Sequence, residues 1–124
     1  MKWGFRIATA ALVAHLSTAP VHAETRLLMF DDEGCYWCET WKEEIGPIYP
    51  KTTEGKLAPL QVVSIHDKLP DETHLKRQVV YTPTFVLMDE GEEISRIEGY
   101  PGEDFFWGLL EQMLNNHSDA KSKS

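Results

Sequence analysis

Arg26-Leu27-Leu28-Met29-Phe30-Asp31-Asp32-Glu33-Gly34-Cys35-Tyr36-Trp37-Cys38 contains two changes of pattern in thirteen residues. Arg26 to Phe30 is a short apolar run and reads as a buried strand. Asp31 to Gly34 reads as a loop. A helix is predicted from near Cys35 through Ile45, stopping before Pro47. The two cysteines are the only ones in the 124-residue chain. Two thiols at this spacing, after a strand and at a helix start, read as a dithiol–disulfide redox centre. On spacing alone the pair is a redox site or half of a metal site.

The residues before this stretch have the layout of a secretory leader. Met1-Lys2 and Arg6 are basic, Ile7 to Leu16 is mostly apolar, and Val21-His22-Ala23 offers small residues for cleavage after Ala23. The apolar run is shorter than the roughly 20 residues of a membrane span and is broken by His15. A retained N-terminal anchor is the alternative, and the absence of a nearby cysteine argues against a lipoprotein. Residues 24–117 are then expected to form one small domain, with 118–124 a frayed, flexible tail.

Of the chain's 12 basic and 20 acidic residues, only Lys2 and Arg6 fall in the leader, so the exported part has a net charge of −10. That balance argues against nucleic acid or an anionic membrane as partner. Export also changes the meaning of the cysteines, because disulfides persist outside the cytosol. A four-residue loop closed by a disulfide contributes only about 2 kcal/mol in the chain-entropy treatment. The pair is therefore a weak staple and a candidate active site.

Further along, Leu60 to Ile65 reads as a second strand and Asp71 to Val79 as a short helix, with Leu75 and Val79 four apart. Thr84 to Met88 is a third strand and Asp89-Glu90-Gly91-Glu92 a hairpin turn. Glu93 to Gly99 is a fourth strand, in which Ile94 and Ile97 do not alternate cleanly. Pro101-Gly102-Glu103 opens a last helix whose apolar stripe is Phe105, Phe106, Leu109, Leu110, Met113 and Leu114. The order is β-α-β-α-β-β-α: an α/β domain with a four-stranded mixed sheet and helices on both faces.

This order, with Cys35-Tyr36-Trp37-Cys38 after strand one and Thr82-Pro83-Thr84-Phe85 at strand three, resembles the thioredoxin fold over essentially the whole exported segment. Tyr81 to Phe85 and Ile97 to Trp107 are most similar to the small exported (periplasmic) thioredoxins of bacterial sulfur-oxidation clusters, the SoxS-like group. The resemblance implies a thiol–disulfide oxidoreductase with Cys35 attacking and Cys38 resolving. It also implies a cis Thr82–Pro83 bond facing the cysteines, with the Thr82 backbone presented to an extended substrate segment. From the residues alone, a trans proline opening an edge strand is the ordinary reading. The chain departs from thioredoxin in three places. Tyr36-Trp37 replaces Gly-Pro, Gly34 replaces Trp, and Met29 stands where thioredoxin has a buried Asp that assists the second cysteine.

The helix start favours a thiolate at Cys35 by about one pKa unit. Asp31, Asp32, Glu33 and Glu39 oppose it, and no Lys, Arg or His is adjacent in sequence. A moderately tuned reductant is expected. Tyr36 and Trp37 are read as a stacking rim for the partner; Trp37 and Trp41 packing on each other or the core is the competing reading. No cofactor and no bound metal are expected. Cys35, Cys38, His66 and His74 could in principle hold zinc or copper as a non-catalytic module, but the histidine spacing misses the usual pattern. A disulfide isomerase or oxidase on the same fold is the nearer alternative. The resemblance implies a protein substrate with a disulfide or modified cysteine, such as a sulfur-carrier protein. It implies a membrane electron donor of the DsbD/CcdA type. A monomer is expected.

Overall fold

The computed structural model describes Gly4 and residues 24–124. Apart from Gly4, the expected leader lies outside the described residues. The elements are β1 (Arg26–Asp31), α1 (Tyr36–Glu44), a 3-10 turn (Tyr49–Lys51), α2 (Thr53–Leu57), β2 (Leu60–Ser64), β3 (Thr84–Asp89), β4 (Glu92–Glu98) and α3 (Glu103–Ser122). The strands form one sheet in the order β2-β1-β3-β4. β1 and β2 are parallel, and the other two pairings are antiparallel.

β1 is central and covered on both faces, which is why it reads as a continuous apolar run rather than an alternating one. Leu27 and Met29 point to the face that carries both long helices. There they meet Trp41 and Ile45 of α1, Phe85 and Leu87 of β3, and Phe106, Leu110 and Met113 of α3. Trp41 is fully buried at the centre of this face, with ring centroids 5.1 Å from Phe85 and 5.5 Å from Phe106. The stripe on α3 is narrower than expected, since Phe105 and Leu109 are exposed.

The opposite face is built differently from the expectation. No helix forms over Asp71–Val79. Leu28, Phe30, Val63, Val86 and Met88 are covered instead by an irregular strap that contributes Ile65, Leu69, Leu75 and Val79. Non-local bonds take over the strap's backbone. His74 N–H donates to Gly91 O (2.8 Å), Glu93 N–H donates to His74 O (3.1 Å), and Lys76 N–H donates to the Glu93 carboxylate (2.8 Å). The order is thus β-α-β-β-β-α with a short α2 before β2, and the long helices share one face.

The β3–β4 turn is Glu90-Gly91, both at positive φ (50° and 80°), the backbone of a tight type I′ hairpin. Gly91 also lets the strap approach, because a Cβ there would sit 2.3 Å from Glu72 O. A bulge between Leu87 and Met88 shifts the register, which is why Ile94 and Ile97 fail to alternate. The segment expected as a tail from Ser118 is helical through Ser122. Asp89 ties it to the hairpin, accepting from Lys121 Nζ at 3.0 Å and lying 3.1 Å from His117 Nε2.

Candidate active site

The cysteines lie where β1 hands over to α1. Asp32 O accepts the Cys35 N–H (3.2 Å), closing the loop between them. Gly34 within that loop has φ +76°, a conformation that disfavours the Trp found there in thioredoxin. Cys35 is the N-cap of α1, and its Sγ accepts the Cys38 N–H at 3.2 Å. The sulfur thereby takes one of the donors that a helix start leaves unpaired. Cys35 is half-buried and Cys38 is fully buried. The two are joined by a disulfide.

Part of the acidic approach to Cys35 is compensated in space by Lys42. Lys42 Nζ lies 2.5 Å from Asp31 Oδ2 and 3.0 Å from Glu39 Oε1. The Asp31 hydrogen bond, acting against partial burial, raises the Lys42 pKa above its ordinary value. His66 Nε2 lies 3.0 Å from Asp32 Oδ1. Glu33 is exposed. Through Lys42, like-charge opposition to a Cys35 thiolate is weaker than the sequence order suggests. Met29, in place of an acid, is fully buried in the cluster that contains Cys38.

Tyr36 and Trp37 are 71% and 54% exposed and meet edge to face at 5.0 Å. Trp37 does not pack on Trp41, which points into the core. The Thr82–Pro83 bond is cis. Phe30 pairs with Thr84 across the sheet, so this segment enters β3 at the end of the sheet where β1 leads into the cysteine loop. Pro83 is buried, and the Thr82 main chain has no hydrogen-bond partner among the described residues. The structure thus gathers Cys35, Tyr36, Trp37, Cys38, Thr82 and Pro83 at one end of the sheet.

Val80 and Tyr81, which lead into Thr82, are also exposed, at 64% and 63%. Neither is among the residues expected to meet substrate, although Tyr81 opens the segment that carries the resemblance; two bulky apolar residues directly before Thr82-Pro83 are the available signal. His66 and His74 are exposed and lie beside carboxylates, His74 Nδ1 being 2.9 Å from Glu92 Oε1. Among the described residues no group of three or more His, Cys, Asp or Glu is gathered to hold a metal ion. A cleft of about 840 Å³ lies between β4 and α3, lined by Ile94, Ser95, Leu109 and Met113 among others, and contains none of these site residues. The redox site is a surface, which suits a disulfide carried on another protein better than a cavity does.

A family model described as a thioredoxin-like domain matches residues 12–114. No curated protein matches the chain. Among solved structures the chain is similar to the periplasmic thioredoxin SoxS from Paracoccus pantotrophus in its reduced form. The two are 51% identical, with 74% of this chain and 97% of that one covered and a TM-score of 0.73. It is also similar to the thioredoxin Mala s 13 of Malassezia sympodialis, at 17% identity over 74% of this chain and 76% of that one, with a TM-score of 0.51. The second likeness concerns the fold alone.

Proposed function

The chain belongs to the thioredoxin-like family and is a thiol–disulfide oxidoreductase, and from that premise we propose that it acts as an exported, periplasmic reductant of protein disulfides or cysteine adducts. The observation that carries this reading is the asymmetry of the cysteine pair. Cys35 is half-exposed and accepts a helix N–H, and Cys38 is buried one turn behind it.

The reaction follows from that asymmetry. The Cys35 thiolate attacks one sulfur of a substrate disulfide; a mixed disulfide forms and the second substrate sulfur leaves as a thiolate. Cys38 then loses its proton and attacks Cys35 Sγ. The Cys35–Cys38 bond closes and the first substrate sulfur departs. Two electrons pass to the substrate, whose thiolates take up two protons. The resulting state is the disulfide present in the structure. Recharging it in an oxidising compartment requires a membrane electron donor of the DsbD/CcdA type. Thr82 offers a main chain without a partner among the described residues to an extended substrate segment. Tyr36, Trp37, Val80 and Tyr81 supply exposed apolar surface around it. The likeness to a SoxS protein supports a substrate in sulfur oxidation, a sulfur-carrier protein held active through its cysteine.

The helix end favours the Cys35 thiolate, and Lys42 offsets the carboxylates of Asp31 and Glu39 near it. The test is a Cys38→Ser protein, which should trap mixed disulfides with one or a few partners. A potential near about −270 mV is expected; a value near about −120 mV would mark an oxidase. Absence of adducts, together with failure of the wild type to reduce insulin, rejects the reading.

A further inference from the structure

We propose that Tyr100 is a positioning residue for exchange at Cys35: its hydroxyl, donated to Glu44, holds the cysteine-bearing helix against the loop that ends in Pro83. This inference rests on the reading of the site as one that exchanges with protein disulfides.

Tyr100 Oη donates to Glu44 Oε2 at 2.5 Å, joining residues 56 apart in sequence. Glu44 is the last residue of α1. A carboxylate at a helix C-terminus faces the negative end of the helix dipole and does not help the helix. What Glu44 contributes is the bond to Tyr100, a charge-assisted one of the stronger kind. The neighbouring residue holds the other side. Gly99 N–H donates to Pro83 O at 2.7 Å. One dipeptide, Gly99-Tyr100, therefore grips the Pro83 loop through its backbone and α1 through its phenol.

Packing fixes the phenol. Tyr100 is buried, with its ring 6.3 Å from that of Phe106. Phe106 in turn packs on Trp41, in the cluster that holds Cys38 and borders Cys35. Burial, then Glu44 and the charge of Glu103, push the Tyr100 pKa up, so the hydroxyl remains a donor across the working range.

The groove a substrate segment would enter has Cys35 on one wall and the Thr82 main chain on the other. α1 carries the first wall, the Pro83 loop the second, and the Tyr100–Glu44 bond braces them. Loosening the brace misplaces a substrate lying across both walls. It leaves the Cys35 thiolate unaffected, because that depends on the Cys38 N–H at the opposite end of α1.

The experiment measures insulin reduction, recycled by dithiothreitol, alongside the pH profile of Cys35 alkylation by iodoacetamide. Tyr100→Phe and Glu44→Ala should each lower kcat/KM on the order of tenfold, chiefly through KM. The double variant should be no worse than either single one. Glu44→Gln, whose amide oxygen still accepts, should stay within about twofold of wild type. The alkylation profile should not move in any of them. Wild-type activity in Tyr100→Phe overturns the inference. So does an alkylation profile that shifts with kcat/KM, or a Glu44→Gln as poor as Glu44→Ala. A wild type that does not reduce insulin and whose Cys38→Ser form traps no mixed disulfide overturns the reductant reading and this inference with it; where adducts form without insulin reduction, the same variants are compared on the trapped partner; and an active wild type with an indifferent Tyr100→Phe overturns the inference alone.

Discussion

Lys42 bridges Asp31 and Glu39 at 2.5 and 3.0 Å, one helical turn beyond Cys38. A single ammonium thus offsets two of the carboxylates nearest the cysteines. Lys42→Met removes that cation and leaves both acids uncompensated. Negative charge disfavours a thiolate, so the alkylation profile of Cys35 should move to higher pH. A less stabilised thiolate also makes the couple more reducing. The alkylation–pH profile of Cys35 measures the first effect and equilibration with glutathione the second. An unchanged profile would show that this bridge does not reach the site electrostatically.

The aromatic rim can be separated from the chemistry by choice of substrate. Trp37→Ala and Tyr81→Ala each remove an exposed aromatic beside the cysteines. Neither ring supports the core, so stability should stay within about 0.5 kcal/mol of wild type. Affinity for a protein substrate should fall by about 1–2 kcal/mol for each, raising KM roughly five- to thirty-fold. Reduction of the protein's own disulfide by dithiothreitol, which needs no such surface, should keep its rate. Equal losses with both substrates would assign the rings a role in positioning α1 instead.

The sequence was legible where local pattern and tertiary burial agree. The four strands, the cysteines at the start of α1 and the inward side of α3 follow from apolar runs and helix-start signals. Asp71–Val79 was misread because Leu75 and Val79 lie four apart with acids before them, a spacing that also serves a strap whose side chains fall into one apolar face. Backbone bonding decides the matter, and it comes from remote Gly91 and Glu93. The partners of the acids were hidden for a similar reason. Lys42 reaches back 11 residues to Asp31, and His66 reaches back 34 to Asp32. Tyr100–Glu44 spans 56 residues, and no periodicity carries such a pair.

Trp41 holds the helices on the sheet, and its indole Nε1 is buried with no hydrogen-bond partner among the described residues. Its worth is therefore packing. Trp41→Ala should cost about 3–5 kcal/mol in urea denaturation. Trp41→Phe gives up part of the contact but also removes an unpaired donor, and should cost less than about 1.5 kcal/mol. A Phe variant as damaged as the Ala variant would mean that the indole makes a bond to an ordered water.

Acid should unfold the domain through Glu93. Its side chain is 1% exposed, Arg96 beside it is 5% exposed, and Arg96 Nε donates to it at 2.6 Å. Burial favours the neutral acid, but the bonds from Arg96 and from Lys76 N–H outweigh it and hold the Glu93 pKa below its ordinary 4.5. Asp89 is held below its ordinary 3.8 in the same sense, burial being outweighed by Thr25 and Lys121. A carboxyl with a depressed folded pKa binds fewer protons when folded than when unfolded. Its stabilisation is complete above the ordinary value and is lost as pH falls through the folded one. Stability should therefore be level from pH 7 to about 5 and decline below about 4.5. Glu93→Gln leaves the buried Arg96 guanidinium with only the more distant Glu98 carboxylate, 3.7 Å away among the described residues, and should cost about 2–3 kcal/mol at pH 7. Because the variant lacks the titrating group, its deficit should shrink as the pH is lowered toward 3. Urea denaturation of both proteins at several pH values measures the gap, and a deficit that stays constant would assign acid sensitivity to other carboxylates.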